Sequence, residues 1–379
     1  MGYRYIGAKN KLSDHILTKV SELVAPEAHI VDLMCGTGQV SLALREDGYR
    51  VTAVDLMTYS LHHAAVQLCI NKPPEFRGLL KQQEIQKHKE NPKNLFGVSG
   101  YEAILSFLNN LEPVRGYFWK EFSPDGNPAN GEQPRKYFIS RNAGKIDAIR
   151  EQIEQWRQSG KISELENSLL IHDLIMAAND IANIAGTYGH YLSKVIVRAK
   201  DPLTLKPSVF SSNENITGHN VLQGYAEEIS KSIQADLCYI DPPYMKRQYA
   251  ANYHVLETIA RGDKPEAAGV SGLRPWRDQY SNFCSKVHIR DSFRQIFSSM
   301  NCPHFLISYS EDGLLKIDEL TELFAEFGNV ETKEIRYKRF KSNNSKLDEY
   351  LTEYLIHLEK ATVKAQCSAQ QFEHAQDAM

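Results

Sequence analysis

The sequence predicts an α/β protein: an open, mainly parallel sheet with an antiparallel hairpin at one edge, interrupted by a mainly helical insertion. Three observations carry this. The runs "HIVDLM" (29–34) and "RVTAVD" (50–55) are short and apolar on both faces, as buried parallel strands require. Between them "GQVSLALRED" has helical periodicity and completes a βαβ unit. Late in the chain, "VETKEIRYKRF" (330–340) and "EYLIHLE" (353–359) read as two strands joined by a polar loop, an antiparallel hairpin at a sheet edge.

The other elements follow in order. "KLSDHILTKVSELV" places Leu12, Ile16, Val20 and Leu23 on one helical face. The pattern then breaks: Gln82 to Asn94 is polar, and Phe107 to Arg141, rich in Pro, Gly, Asn and aromatics, reads as loops. Ile146, Ile149, Ile153 and Trp156 mark an amphipathic helix, and Leu169 to Ile184 a second one stopped at Gly186. Strand-like runs return at Asp236 to Ile240 and His304 to Tyr309. From Ala361 the chain is polar and expected to be disordered. The expected organisation is a discontinuous catalytic domain (1–72 and 201–360), a helical insertion (73–200) and a tail (361–379).

Composition excludes some classes. The chain has 379 residues, 42% hydrophobic, with a net charge of −3, so a nucleic-acid surface would have to be local. The N-terminus lacks an apolar signal segment and no apolar run approaches ~20 residues, so no membrane span is expected. Six cysteines form neither a CxxC pair nor a Cys/His ligand cluster. They read as reduced thiols of a cytoplasmic protein, with no metal site.

The first motif is "VDLMCGTGQVSLAL". Gly36 and Gly38 directly follow a strand and precede a helix, where glycine lets the backbone approach a ligand closely. Asp55 ends the next strand, at the distance where a carboxylate meets ribose hydroxyls. The competing reading is a tight turn with a solvated acid. Ser41 stands where a dinucleotide pattern has its third glycine, so nothing favours a pyrophosphate. The form D-L-x-C-G-T-G resembles the cofactor loop of S-adenosylmethionine (SAM) methyltransferases.

The second motif is "YIDPPY". An acid, two prolines and an aromatic sit at the C-terminal end of a strand, the edge where open α/β sheets bind ligands. The lone pair of adenine's exocyclic amine is delocalised into the ring. Two acceptors aimed at its N–H bonds favour the sp³-like form that attacks a methyl sulfonium. The Asp241 carboxylate and the Pro242 carbonyl can supply them. Pro242 and Pro243 restrict the backbone and add no N–H donor. Tyr244 can stack on a base lifted from its helix. The competing reading is a proline-rich strand end with a core tyrosine.

"YIGAKNKL", "DLMCGTGQVS", "VDLMTYS", "YIDPPY" and "ISYSEDGLL" occur in the order of the α-group DNA adenine-N6 methyltransferases, bacterial adenine methylases often partnered with restriction enzymes. The sequence resembles this family over most of its length. The resemblance implies a Rossmann-like SAM-binding sheet. It implies that Tyr5, Gly7 and Lys9 line the methionine end of SAM, that Asp32 to Gly38 face it, and that Asp55 holds its ribose. Asp241 to Tyr244 would hold the target adenine, with Asp241 also near the cofactor, and Tyr309 would help form the base pocket. One departure stands out: where relatives carry an acid near the cofactor adenine, this chain has Gln223 and Gly224.

For DNA, Lys246 and Arg247 lie beside the tetrad, and Arg336, Lys338 and Arg339 lie on the hairpin, where an edge strand guarded by lysine is the equal alternative. "QPRKYFISRNAGK" in the insertion mixes Arg135, Lys136, Arg141 and Lys145 with Tyr137 and Phe138, and reads as part of a target-recognition surface. The expected function is SAM-dependent adenine-N6 methylation of a specific double-stranded DNA sequence by base flipping. The expected location is the cytoplasm, at the nucleoid, with a cognate restriction endonuclease acting separately on the same site. RNA adenine methylation, cytosine-N4 methylation and an inactive nucleic-acid-binding module are the alternatives.

Overall fold

A computed structural model describes residues 12–89, 99–211, 217–338 and 350–361. Seven strands form one sheet: β1 (His29–Asp32), β2 (Arg50–Asp55), β3 (Asn220–Gln223), β4 (Leu237–Ile240), β5 (His304–Ser310), β6 (Gly328–Lys338) and β7 (Tyr350–Lys360). Their order is β3-β2-β1-β4-β5-β7-β6. Strands β1 to β5 are mutually parallel, and β7 runs antiparallel to both β5 and β6. The expected mainly parallel sheet with an antiparallel edge hairpin is therefore the observed one.

The first half carries helices α1 (Ser13–Leu23), α2 (Gln39–Glu46) and α3 (Thr58–Cys69). Then come α4 (Gln83–Lys89), α5 (Gly100–Asn110), α6 (Tyr117–Phe122), α7 (Ser140–Gln158) and α8 (Glu164–Asp180). The second half adds α9 (Ala226–Ile229), α10 (Tyr249–Asn252), α11 (His254–Arg261), α12 (Ile289–Ser299) and α13 (Ile317–Ala325). No helix among the described residues is long and apolar enough to cross a membrane.

Alternation along the strands explains the layering. Ile30, Leu237, Tyr239 and Leu306 point to one face, where they meet Ile16, Val20 and Leu44 of α1 and α2. Val31, Cys238, Ile240 and Phe305 point to the other, against Phe293, Phe297 and Phe324 of α12 and α13. With both faces covered, the middle residues of β1, β2, β4 and β5 are buried and mostly apolar. Each such side chain, fully buried, contributes about 1.5–3 kcal/mol.

Residues 73–200 share their core with the rest of the chain. Ile149, Ile153 and Leu174 of α7 and α8 join Tyr59 of α3 and Leu256 and Ile259 of α11 in one cluster. Helix α4 arises in the polar stretch, and the end of α5 and all of α6 arise where the composition suggested loops. Helix α5 starts from a capping box: the Ser99 hydroxyl accepts from the Glu102 N–H while Glu102 accepts from the Ser99 N–H. Helix α6 is capped from outside, by the Asp147 carboxylate of α7, which accepts from the Phe118 and Trp119 N–H groups, each at 2.8 Å. Helix α8 stops at Asp180 rather than running to Gly186. Asn183 is taken up by tertiary contacts: its amide donates to the Lys136 and Leu192 carbonyls at 2.9 Å and its carbonyl oxygen accepts from the Ile196 N–H at 3.1 Å.

One expectation is corrected here. "QPRKYFISRNAGK" is largely core. Tyr137 and Phe138 are buried. Arg135 is fully buried, donating to the Glu121 carboxylate at 2.8 Å and to the Gly269 carbonyl at 2.9 Å. Lys145 is buried and donates to the Asn109 and Leu111 carbonyls. Of the four cations, only Lys136, half-buried, and Arg141, exposed, keep access to solvent. The motif mixes charge with aromatics because it ties helices together. Arg135→Ala should therefore cost roughly 3–5 kcal/mol in a urea titration, because Glu121 is left charged and buried. Replacing both residues by apolar ones of similar size should cost far less, and a loss under about 1 kcal/mol for the single change would contradict this packing.

Candidate active site

The carboxyl ends of β1, β2, β3 and β4 open into one cavity of about 980 Å³, counting its mouth. Its wall includes Gly36, Asp55, Asp241, Pro242, Pro243 and Tyr244. Residues far apart in the chain, from the glycine loop and the tetrad, thus face one space.

The glycine loop is fixed by backbone bonds: Leu33 N–H donates to the Tyr239 carbonyl and Cys35 N–H to the Val54 carbonyl, each at 2.9 Å. The two glycines differ in role. Gly36 (φ 54°) lines the cavity and its N–H donates to Asp55 Oδ2 at 2.8 Å. Gly38 (φ 74°) faces the opposite way: an added Cβ would lie 2.9 Å from Gln67 Oε1 and 3.2 Å from the Ala64 Cα of α3. It is a hinge for the α2 start and a close-packing position, outside the cavity wall.

Asp55 is held at both oxygens, since Oδ1 accepts from the Met57 N–H at 2.8 Å. Burial pushes its carboxyl up to about 6, against the pull of the Met57 and Gly36 N–H groups. Asp32 is also outside the wall. It is buried under the loop, and its Oδ2 accepts from the Ser41 hydroxyl at 2.6 Å. Burial pushes it up to about 7; the Ser41 hydrogen bond opposes this, and nearby Asp241 and Asp55 add to it. The resemblance implies that Asp32 and Gly38 face the cofactor; here they lie outside the wall and support the loop whose Gly36 lines the cavity.

In the tetrad, Pro242 is buried and Asp241, Pro243 and Tyr244 are half-buried. The Pro242 carbonyl receives no hydrogen bond from the described residues. The Tyr244 carbonyl accepts from Leu314 N–H at 3.1 Å, which ties the tetrad to the loop after β5. Tyr309 is 1% exposed and lies beneath Tyr244, their rings 6.0 Å apart and edge-on. Its hydroxyl accepts from the Leu315 N–H at 3.2 Å. It supports Tyr244 and is itself no part of the wall.

Lys246 and Arg247 are exposed just outside the tetrad, Arg247 at a groove against the Gly186–His190 loop. Strand β6 runs parallel to β5, so its Arg336 end emerges on the same side of the sheet as the tetrad. Arg336 stacks over the Tyr350 ring at 4.9 Å. Tyr5, Gly7, Lys9, Arg339 and the Lys338 side chain fall outside what is described. Gln223 is not in the wall either; its amide donates to the Leu56 carbonyl and the Thr58 hydroxyl.

Several wall residues had no sequence signal. Gln248 and Ser281 exchange reciprocal hydrogen bonds, 2.9 and 2.8 Å, closing a strap over the cavity. Gln279, 5% exposed, donates to the Leu56 carbonyl and the Glu257 carboxylate, which leaves its Oε1 without a partner. Glu227, an acid of "GYAEEI" that no local pattern marks, also lines the cavity. None of the described wall residues is Lys or Arg, and several are acceptors. Such a wall fits a ligand that brings hydroxyls, amines and positive charge, as SAM does, and does not fit a pyrophosphate.

This sheet order and a cleft at the carboxyl ends of the strands define an open α/β protein with its cavity where such sheets hold ligands. A family model for the D12 class N6 adenine-specific DNA methyltransferases matches residues 5–338, and the chain belongs to this family. It is 34% identical over 366 residues to the Type II methyltransferase M.FokI of Planomicrobium okeanokoites, covering 94% of this chain and 52% of that protein. It is 30% identical over 364 residues to the modification methylase StsI of Streptococcus sanguinis, covering 94% and 52%. To the Type II methyltransferase M.NlaIII of Neisseria lactamica it is 30% identical over 365 residues, covering 94% and 99%. The chain spans about half the length of the first two relatives and nearly all of the third.

The acid beneath the glycine loop gives a pH test. The folded state keeps a proton on Asp32 that the unfolded chain loses near pH 3.8, so this group's contribution to stability falls as pH rises towards 7. Asp32→Asn removes that titration. Its stability relative to the parent protein should rise by roughly 2–4 kcal/mol between pH 4 and pH 8 and level off above. A pH-independent difference in paired denaturation curves would contradict the burial argument.

Proposed function

We propose that this chain is a site-specific DNA methyltransferase that methylates adenine N6 in duplex DNA with SAM, after flipping the base. The observation that carries the reading is the single cavity that joins Gly36 and Asp55 to the Asp241–Tyr244 tetrad. When bound, SAM supplies a methyl group activated on a sulfonium.

The chain's own residues do the rest. Gly36 lets the loop backbone approach the ligand, and Asp55, oriented by two backbone N–H groups, accepts from ribose hydroxyls. Asp241 accepts one N–H of the adenine amine and the Pro242 carbonyl the other, which turns the nitrogen lone pair out of the ring. Tyr244, propped by Tyr309, gives the base a face to rest on. Lys246, Arg247 and Arg336 contact phosphates, and residues 73–200 form the target-recognition insertion beside the cavity. The enzyme works in the cytoplasm on chromosomal DNA, and a restriction endonuclease acting separately at the same sequence is its partner system.

Labelled SAM incubated with duplex DNA, RNA and single strands, followed by base-resolved mapping, tests this directly. Label on adenine N6 at one DNA sequence is expected; label confined to RNA or to cytosine would overturn it. Asp241→Ala should lower turnover by at least about 10³-fold while the melting temperature holds. Asp55→Ala should weaken SAM binding about tenfold or more, with little change in DNA affinity. Unchanged SAM affinity in that variant would remove Asp55 from the cofactor site.

A further inference from the structure

A groove of about 850 Å³, counting its open side, lies between the loop at 186–190 and α10. It adjoins the cavity, since Gln248 lies in the wall of both. A small depression bounded by Tyr244, Arg247 and Asn252 lies at the tetrad, and Arg247 and Asn252 also line the groove. One residue pins the loop. Tyr188 is fully buried; its N–H donates to the Asn252 carbonyl at 2.8 Å, its carbonyl accepts from the Tyr137 hydroxyl at 2.7 Å, and its hydroxyl donates to Asn179 Oδ1 at 3.1 Å. The glycines on either side of it have no such structural reason. Neither takes a positive φ. An added Cβ would meet nothing within 4 Å at Gly186 and nothing closer than 3.7 Å at Gly189. Folding therefore does not require glycine at either position, and glycine only adds freedom to the unfolded chain. What a bare backbone permits here is close approach by an outside group.

The lining says which group. It includes no Asp or Glu, whereas the cavity wall has Asp55, Glu227 and Asp241. Arg247 is exposed and makes no ion pair with the described residues. The Thr187 hydroxyl and the N–H groups of Gly186, Thr187 and Gly189 make no hydrogen bond to the described residues, so solvent or a ligand serves them. A cation, a hydroxyl and bare backbone N–H groups, with no competing acid, are the donors that hold a phosphate diester. A base lifted into the cavity brings its own flanking phosphates to the mouth beside Tyr244, where the groove begins.

We propose, on the DNA reading above, that this groove seats a phosphate next to the flipped adenine on the same strand, with Arg247, Thr187 and the backbone of Gly186 and Gly189 as its donors. The test is an anisotropy titration of the purified full chain, with S-adenosylhomocysteine present. The probes are the duplex sequence it methylates and two duplexes in which the phosphate on one or the other side of the target adenine is an uncharged methylphosphonate. The parent protein should bind one of the two modified duplexes about tenfold or more weakly. Gly189→Asp places a carboxylate in the groove, and Gly186→Val fills part of it; both positions have room for a Cβ. Each should weaken binding of the unmodified duplex about tenfold at an unchanged melting temperature. In each, the loss caused by that methylphosphonate should shrink to within about twofold. Variants that keep the parent's full loss would show that the phosphate is held elsewhere and overturn the proposal. So would a parent protein indifferent to both replacements, a result that needs no variant to fold. Failure of the parent protein to methylate any duplex would instead overturn the DNA reading, and this inference with it.

Discussion

The hydrogen bond from Gly36 N–H to the Asp55 carboxylate is the joint on which the site depends. It ties the loop after β1 to the end of β2, and Met57 N–H holds the other oxygen of the same acid. Leu33 and Cys35 anchor the loop to β4 and β2 on either side. Asp55 and Asp241 are thereby gathered close enough to Asp32 to add to the burial that raises its proton affinity. Folding alone gains nothing from this arrangement. A cavity walled by acceptors and lacking cationic side chains among its described residues is instead matched to a ligand rich in donors and carrying positive charge.

The helices between β2 and β3 are part of the same construction. Those after α3 share one core with α3 and α11, so they are braced against the segment that leaves β2 and the segment that follows the tetrad. Glu257 of α11 makes the same link in polar form. It is fully buried and accepts from the Thr58 and Tyr59 N–H groups at the start of α3 and from the Gln279 amide of the strap. The segments on both sides of the cavity wall are thus tied to the same helical packing.

Much of this was legible in the sequence because it follows from local pattern. Strands β1, β2, β4 and β5 announce themselves as apolar runs, and Gly36, Asp55 and Asp241 to Tyr244 sit at strand ends where chemistry belongs. The glycine loop was readable as a loop, but whether a glycine faced a ligand or a helix was not: Gly38 is needed for α3, a contact made across 26 residues. Arg135, Lys145 and Tyr137 looked like a binding surface because composition cannot tell a buried ion pair from an exposed patch. Gln279, Ser281 and Gln248 were invisible because their roles come from hydrogen bonds between segments that carry no periodicity. Helix α6 was missed for the same reason, since its cap is a carboxylate from another helix.

A crystal structure of the chain with S-adenosylhomocysteine and a duplex carrying its target adenine would test the central claim most directly. The account predicts ribose hydroxyls within hydrogen-bond distance of Asp55, and the sulfur turned towards Asp241. It also predicts the adenine amine held by the Asp241 carboxylate and the Pro242 carbonyl over the face of Tyr244. A cofactor bound away from Asp55, or a target base that never reaches the tetrad, would contradict it.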